Sequence, residues 1–164
     1  NNKITYIDMV VCLIFDIDDT IYVHKTTLMN YSRIRHDYQL KSQLQRIPYH
    51  KFVLTNATFY HANLILNKLG IEDEFKKVYS RDNIPQMKPY PICYDAVEED
   101  ICVTLKNNNN EYIFFDDLLV NLESAKDKGW RTVWISPNYI ESYKYPYVDK
   151  GFSTLKYALE KLNF

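Results

Sequence analysis

At 164 residues, with 46% hydrophobic residues and a net charge of −1, the chain is sized for one domain with a core of its own. No apolar stretch approaches the roughly 18 residues of a membrane span, and no signal-peptide pattern is present. The near-neutral balance gives no electrostatic argument for nucleic acid or an anionic membrane as partner, and Asn1 in place of Met suggests a trimmed or tagged chain.

The first apolar run, Val10-Val11-Cys12-Leu13-Ile14-Phe15, is apolar throughout and partly β-branched, which suits a strand buried on both faces of a parallel sheet. It leads into Asp16-Ile17-Asp18-Asp19-Thr20. Carboxylates are hard to bury without a partner, so their place is the carboxyl edge of that sheet, where open α/β folds bind ligands. Tyr22 to Asn30 reads as a turn and short flap, and Tyr31 to Arg46 carries a helical pattern. A second strand, Lys51–Thr55, ends in Thr55-Asn56. Thr58–Leu69 reads as a helix with Ala62, Leu64, Ile65 and Leu69 facing the core, closed by Gly70.

A short strand at Lys77–Ser80 leads into the loop that carries Lys88, and Pro91 fits the first turn of a helix over about Ile92–Leu105. The run Asn107–Asn110 reads as a solvated loop. Glu111–Phe115 is strand-like and ends in Asp116-Asp117, with Asn121 shortly after. A helix over Leu119–Lys128 is stopped by Gly129, and a strand follows at Arg131–Ile135. The last helix starts near Ser153 and buries Leu155, Ala158, Leu159 and Leu162. No internal repeat or linker stands out.

This alternation predicts an α/β fold, a Rossmann-like three-layer sandwich around a central parallel sheet. The polar sites at the strand ends converge along one edge. Paired acids, a hydroxyl, a lysine and a further acid make a phosphoryl-transfer kit, and paired acids suit a divalent cation and a carboxylate nucleophile.

Other features point elsewhere or nowhere. Cys12, Cys93 and Cys102 are odd in number and lie in strand-like or helix-like runs, so they read as reduced core thiols of a cytosolic protein. His24, His36, His50 and His61 lack zinc-site spacing and read as ordinary, partly exposed residues. The absence of a Gly-rich phosphate loop argues against a kinase or nucleoside triphosphatase. Tyr139, Tyr143, Tyr145 and Tyr147 suit a surface loop and are the first choice for an oligomer contact. Fifteen Tyr against three Gly, with the Asn run, suggest an A/T-rich coding sequence such as a protozoan or large virus carries, and a viral protein would work in the host cytoplasm.

Asp16-x-Asp18-x-Thr20, Thr55-Asn56, Lys88-Pro89 and Asp116-Asp117 with Asn121 together resemble the four-motif signature of the haloacid-dehalogenase-like hydrolases. The likeness covers about residues 10–136. Within that superfamily, Thr55-Asn56-Ala57 with His61-Ala62, Leu69-Gly70-Ile71 with Phe75, and Phe114-Phe115-Asp116-Asp117 are similar to the pyrimidine 5′-nucleotidase type.

The resemblance implies a Mg²⁺-dependent phosphatase. Asp16 is then the nucleophile that forms an aspartyl-phosphate, and Asp18 the acid and base that protonates the leaving alkoxide and activates water. Thr55 and Asn56 bind the phosphoryl group with nearby backbone N–H groups, and Lys88 neutralises Asp16 and the phosphate together. Mg²⁺ is held by Asp16, the backbone carbonyl of Asp18, and Asp117, which is chosen because Asn121 follows it by four residues. Asp116 and Asn121 support that shell. Thr20 and Asp19 shape the turn after the nucleophile, Asp19 adding negative charge near the phosphate.

Relatives of the nucleotidase type carry a helical cap between the first two motifs. Here a flap and short helical segment over residues 21–50 use nearly all of that interval, which predicts a single core domain over 1–164 without a large cap. An open site is covered by a neighbouring subunit of a homo-oligomer or by a macromolecular substrate, or it turns over poorly. The expected substrate is a small phosphorylated molecule, a nucleoside 5′-monophosphate first. The alternatives are a capless phosphatase for phosphoprotein or nucleic-acid ends, and a binding or regulatory protein that retains the fold without turnover.

Overall fold

A computed structural model describes residues 8–164, so Asn1 lies outside the described residues. Strands β1 (Val10–Phe15), β2 (His50–Leu54), β3 (Lys77–Tyr79), β4 (Asn110–Asp116), β5 (Arg131–Ile135) and β6 (Lys150–Phe152) form one parallel sheet in the order β3-β2-β1-β4-β5-β6. Helices α1 (Tyr38–Arg46), α2 (Phe59–Leu69), α3 (Pro91–Leu105), α4 (Leu119–Asp127) and α5 (Leu155–Lys161) alternate with the strands. The expected Rossmann-like sandwich is the observed fold. None of these helices is long and apolar enough to cross a membrane.

Strand pleat explains the layering. Leu13, Phe15, Val53, Phe115 and Val133 point to one face and pack with residues of α1, α2 and α5. Their neighbours Cys12, Ile14, Phe52, Leu54, Phe114 and Trp134 point to the other, against α3 and α4. Both faces are therefore covered, and the strands can be apolar at every position. Phe15 stacks on Phe115 at 4.7 Å between ring centroids, which locks β1 to β4 one residue short of the acids that follow.

The strand order places the site. β1 pairs with β2 on one side and with β4 on the other, so the chain reverses its direction of travel across the sheet at β1. A crevice opens at the carboxyl ends of strands at such a switch point. In register, Phe15 lies opposite both Val53 and Phe115, so Asp16 and Asp116 emerge at one level and Thr55 one residue beyond it.

Several boundaries differ from the sequence reading. Tyr31–Arg46 is not one helix: Tyr31–Arg33 is a 3₁₀ turn capped by Asn30, and α1 starts at Tyr38, where the Asp37 side chain accepts from the Leu40 N–H at 3.0 Å. Two local caps compete with a continuous helix there, and the extended Ile34 between them is buried in the core. In α2 the inward stripe is Ala62, Ile65, Leu66 and Leu69, while Leu64 is only half-buried. Gly70 closes α2 with φ +72°, and a side chain there would also meet the His36 ring, 2.9 Å from an ideal Cβ.

At the carboxyl end, Thr154 rather than Ser153 caps α5, and Leu162 lies past its last turn. β6 escaped the sequence reading because three residues including Gly151 carry no periodicity. Gly151 is required by close approach, since its Cβ would stand 2.8 Å from the Tyr139 carbonyl oxygen. The tyrosine segment is not simply surface loop: Tyr145 and Tyr147 pack against the core around Trp134, whereas Tyr143 is exposed. Asn110, expected in a loop, opens β4. Cys12 and Cys93 are buried free thiols, each pushed up to about 12 by burial, and Cys102 is free and half-buried.

Candidate active site

Asp16 follows β1 directly, and its backbone N–H still bonds the Phe115 carbonyl at 2.9 Å, so the last rung of the sheet fixes it. A tight turn comes next. Thr20 and Tyr22 N–H groups both return to the Ile17 carbonyl, and Asp19 sits in the left-handed region at φ 61°, which a short polar side chain tolerates. The Asp19 carboxylate accepts from the His24 N–H at 3.0 Å, tying the flap to the turn. Thr20 does more than hold the turn: its hydroxyl donates to Asp16 Oδ2 at 3.3 Å.

Lys88 is the centre of the buried network. Its Nζ donates to Asp16 Oδ1 at 2.9 Å, to Asp116 Oδ2 at 2.7 Å and to the Leu54 carbonyl at 2.9 Å, and its side chain is 1% exposed. Desolvation would pull this ammonium down, but Asp116 and Asp16 together outweigh it and hold it above the ordinary lysine value. Asp16 is itself raised to about 8: burial dominates and Asp116 and Asp117 add to it, against the opposing pull of Lys88.

Asn56 was expected at the phosphate. Its amide instead clamps the Lys88 backbone, donating to the Lys88 carbonyl at 2.9 Å and accepting the Lys88 N–H at 2.9 Å. Thr55 is buried, and its hydroxyl oxygen accepts the Ala57 N–H at 3.1 Å, which turns the chain into α2. The strand-end polar residues therefore first build the loops that hold Lys88.

The two adjacent acids divide their work differently from the spacing argument. Asn121 was paired with Asp117; its amide bonds Asp116 instead, at 3.2 and 3.1 Å to the two oxygens. Asp116 is fully buried and also accepts the Leu118 N–H at 2.8 Å, so Asn121, Leu118 and Lys88 occupy its oxygens. Asp117 is half-buried, and burial first, then Asp116, push it up to about 6. Carboxylate oxygens of Asp16, Asp116 and Asp117 lie within 4.8 Å of one another.

That donor set fits Mg²⁺. It offers hard carboxylate oxygens with too few protein ligands to exclude water, and three acids face one ammonium, leaving negative charge for a dication to neutralise. With the Asp116 oxygens occupied, Asp16 and Asp117 are the freer pair.

Asp18 does not share its carboxylate with this group. Its Oδ1 receives His24 Nε2 at 2.6 Å and His61 Nε2 at 2.8 Å, and His61 Nδ1 meets the Tyr31 hydroxyl at 2.6 Å. The sequence reading treated both histidines as ordinary, partly exposed residues. They are instead the side chains that hold Asp18. The one available signal was the recurrence of His61 in the motif resemblance.

Comparison with known proteins agrees with this architecture. The family described as haloacid dehalogenase-like hydrolase matches residues 23–135, a stretch that begins after the Asp16–Thr20 motif and so supports the assignment independently of it. The chain belongs to that family. Its fold is similar to that of the L-2-haloacid dehalogenase from Xanthobacter autotrophicus, with a TM-score of 0.59 at 18% identity over 79% of this chain and 62% of the other. The putative hydrolase YfnB from Bacillus subtilis, solved with magnesium bound, gives 0.59 at 19% over 77% and 54%. A predicted phosphoglycolate phosphatase from Haemophilus somnus 129pt gives 0.56 at 20% over 75% and 55%. The chain thus spans less than two thirds of the length of each of these proteins.

Proposed function

We propose that the chain is a Mg²⁺-dependent phosphomonoester hydrolase that acts through an aspartyl-phosphate on Asp16. The observation that carries this reading is the convergence of Asp16, Asp116 and Asp117 within 4.8 Å, with Asp18 held separately two residues beyond the nucleophile. The family includes dehalogenases as well as phosphatases, and chemistry separates the two. A halide leaves without a proton, whereas an alkoxide needs an acid, and a dianionic phosphate needs more positive charge than Lys88 alone supplies.

Lys88 pins Asp16 Oδ1, which leaves Oδ2, held only by the longer Thr20 bond, to attack phosphorus. As P–O(alkyl) breaks, a proton on the Asp18 carboxyl passes to the leaving oxygen. His24 and His61 hold Asp18 by Oδ1, so Oδ2 is the oxygen that carries the proton. Asp18 then accepts a proton from the water that opens the acyl phosphate. Asp16 and Asp117, with the Asp18 carbonyl, would hold Mg²⁺, which supplies charge neutralisation at the phosphoryl oxygens.

A nucleoside 5′-monophosphate is the first substrate class, on the motif resemblance alone. The short segment between β1 and β2, a flap, one 3₁₀ turn and a nine-residue helix, favours a second reading. A site with so little above it suits a phosphorylated macromolecule, or a second copy of the chain as its cover.

Phosphate release from nucleoside monophosphates, sugar phosphates, a phosphopeptide and a 3′-phosphorylated oligonucleotide, with Mg²⁺ or chelator, tests this. We expect metal-dependent release that disappears in Asp16→Asn. Release that survives in that variant, or none from any substrate, overturns the proposal.

A further inference from the structure

The Asp18 cluster has a chemistry different from the carboxylates beside it. Three segments meet there: the turn after β1 brings Asp18, the flap six residues on brings His24, and α2 brings His61 from 43 residues away. One carboxylate oxygen and two imidazole nitrogens lie within 4.8 Å of one another, all on half-buried residues with a route to solvent. We propose that Asp18, His24 and His61 form a binding site for a dication of the Zn²⁺ class, separate from the hard-oxygen site at Asp16 and Asp117.

Ligand type carries the distinction. Imidazole suits zinc and its transition-metal neighbours, while carboxylate, carbonyl and water suit magnesium. Two His and one acid are three protein ligands, the number that leaves a fourth position for water. Zinc stands about 2.0–2.1 Å from each such atom, so tetrahedral ligands lie roughly 3.3 Å apart. The present 2.6 and 2.8 Å contacts would then open by roughly 0.7 and 0.5 Å. The flap that carries His24 is tied to the turn by backbone bonds of Tyr22 with Ile17 and Asp19 and by the Asp19–His24 bond, and none of these bonds involves the His24 ring.

Tyr31 supplies the outer partner that a metal-bound histidine needs. Its hydroxyl lies 2.6 Å from His61 Nδ1. With the ring neutral and its proton on Nε2, Nε2–H donates to Asp18 and Nδ1 accepts from Tyr31. With zinc on Nε2, the proton sits on Nδ1 and the same hydroxyl accepts it, so a neutral ring changes tautomer without losing its partner. Occupancy would also fasten the flap to α2 and take Asp18 out of proton transfer. That last consequence rests on the phosphatase reading; the binding does not.

Calorimetric titration of the whole chain with ZnCl₂ in excess Mg²⁺, followed by Co²⁺ absorption spectra, tests the site. We expect one equivalent bound, with intense visible Co²⁺ bands. Affinity should fall more than about tenfold in His24→Ala and in His61→Gln, and about tenfold in Tyr31→Phe. Asp16→Asn should bind zinc like the parent, so the measurement stays readable even when no substrate is hydrolysed. The two histidines lie on different elements, so one variant decides should the other fail to fold. No zinc uptake in excess Mg²⁺, or parent-like affinity in the histidine variants, overturns the proposal.

Discussion

Two networks meet at the end of β1, and they are built on opposite terms. The inner one, Asp16–Lys88–Asp116–Asn121, is almost wholly buried and is supported by strand ends and by the Asn56 clamp. The outer one, Asp18–His24–His61–Tyr31, is half-buried and comes from a turn, a flap and a helix face. Charges buried as deeply as Lys88 depend on every partner, because an unpaired one costs several kcal/mol. The rim network remains in contact with water and can rearrange at little cost. The site thus combines a rigidly held Asp16 with a more adjustable Asp18.

The sharpest way to break the comparison is to remove the inner cation. Lys88→Met leaves two carboxylates buried without their ammonium and should destabilise the metal-free chain by about 3 kcal/mol or more, read from urea unfolding. The same measurement on His24→Ala should give no more than about 1 kcal/mol, as for polar pairs that remain in contact with water. Equal losses would mean that the two networks are not different in kind.

Asn56→Ala probes the support of the inner network without touching a charge. It removes both amide contacts to the Lys88 backbone and should cost about 1–3 kcal/mol, together with a fall in kcat greater than any change in KM.

The smallest effect is electrostatic. Asp117 and Asp16 are raised from 3.8 to about 6 and about 8, so the folded chain keeps protons there that the unfolded chain releases. The stability they contribute is full below about pH 4. It is lost as pH rises through about 6 for Asp117 and about 8 for Asp16. In chelator, the parent should therefore lose more stability between pH 5 and 8 than Asp117→Asn. The difference should be about 1 kcal/mol once solvent screening of a half-buried group is allowed for, and Mg²⁺ should restore it. A parent and variant with the same pH profile would remove Asp117 from the electrostatics of the site.

What could be read from the chain alone was whatever depends on local pattern. A short, partly β-branched run apolar at every position suits a strand covered on both faces, and Val10–Phe15 is one. Thr58 and Gly70 bracket α2 because capping acts over a few residues. Asp16, Thr55 and Asp116 fall at strand ends, so their meeting followed once the sheet was parallel, while Lys88 comes from the loop between β3 and α3. Where two local signals competed, as at Asn30 and Asp37, pattern failed and the helix was drawn too long.

Tertiary structure alone decided who bonds whom. Spacing paired Asn121 with Asp117, but the start of α4 turns the amide toward Asp116, one residue earlier. Asn56 reaches Lys88 across 32 positions, and His61 reaches Asp18 across 43. Periodicity carries no information over such separations, because these contacts are fixed by sheet order and helix placement. The sequence determined five of the six strands, the bounds of α2 and the acids at the sheet edge; tertiary packing decided that one aspartate is locked to a buried lysine and the other is held by two histidines.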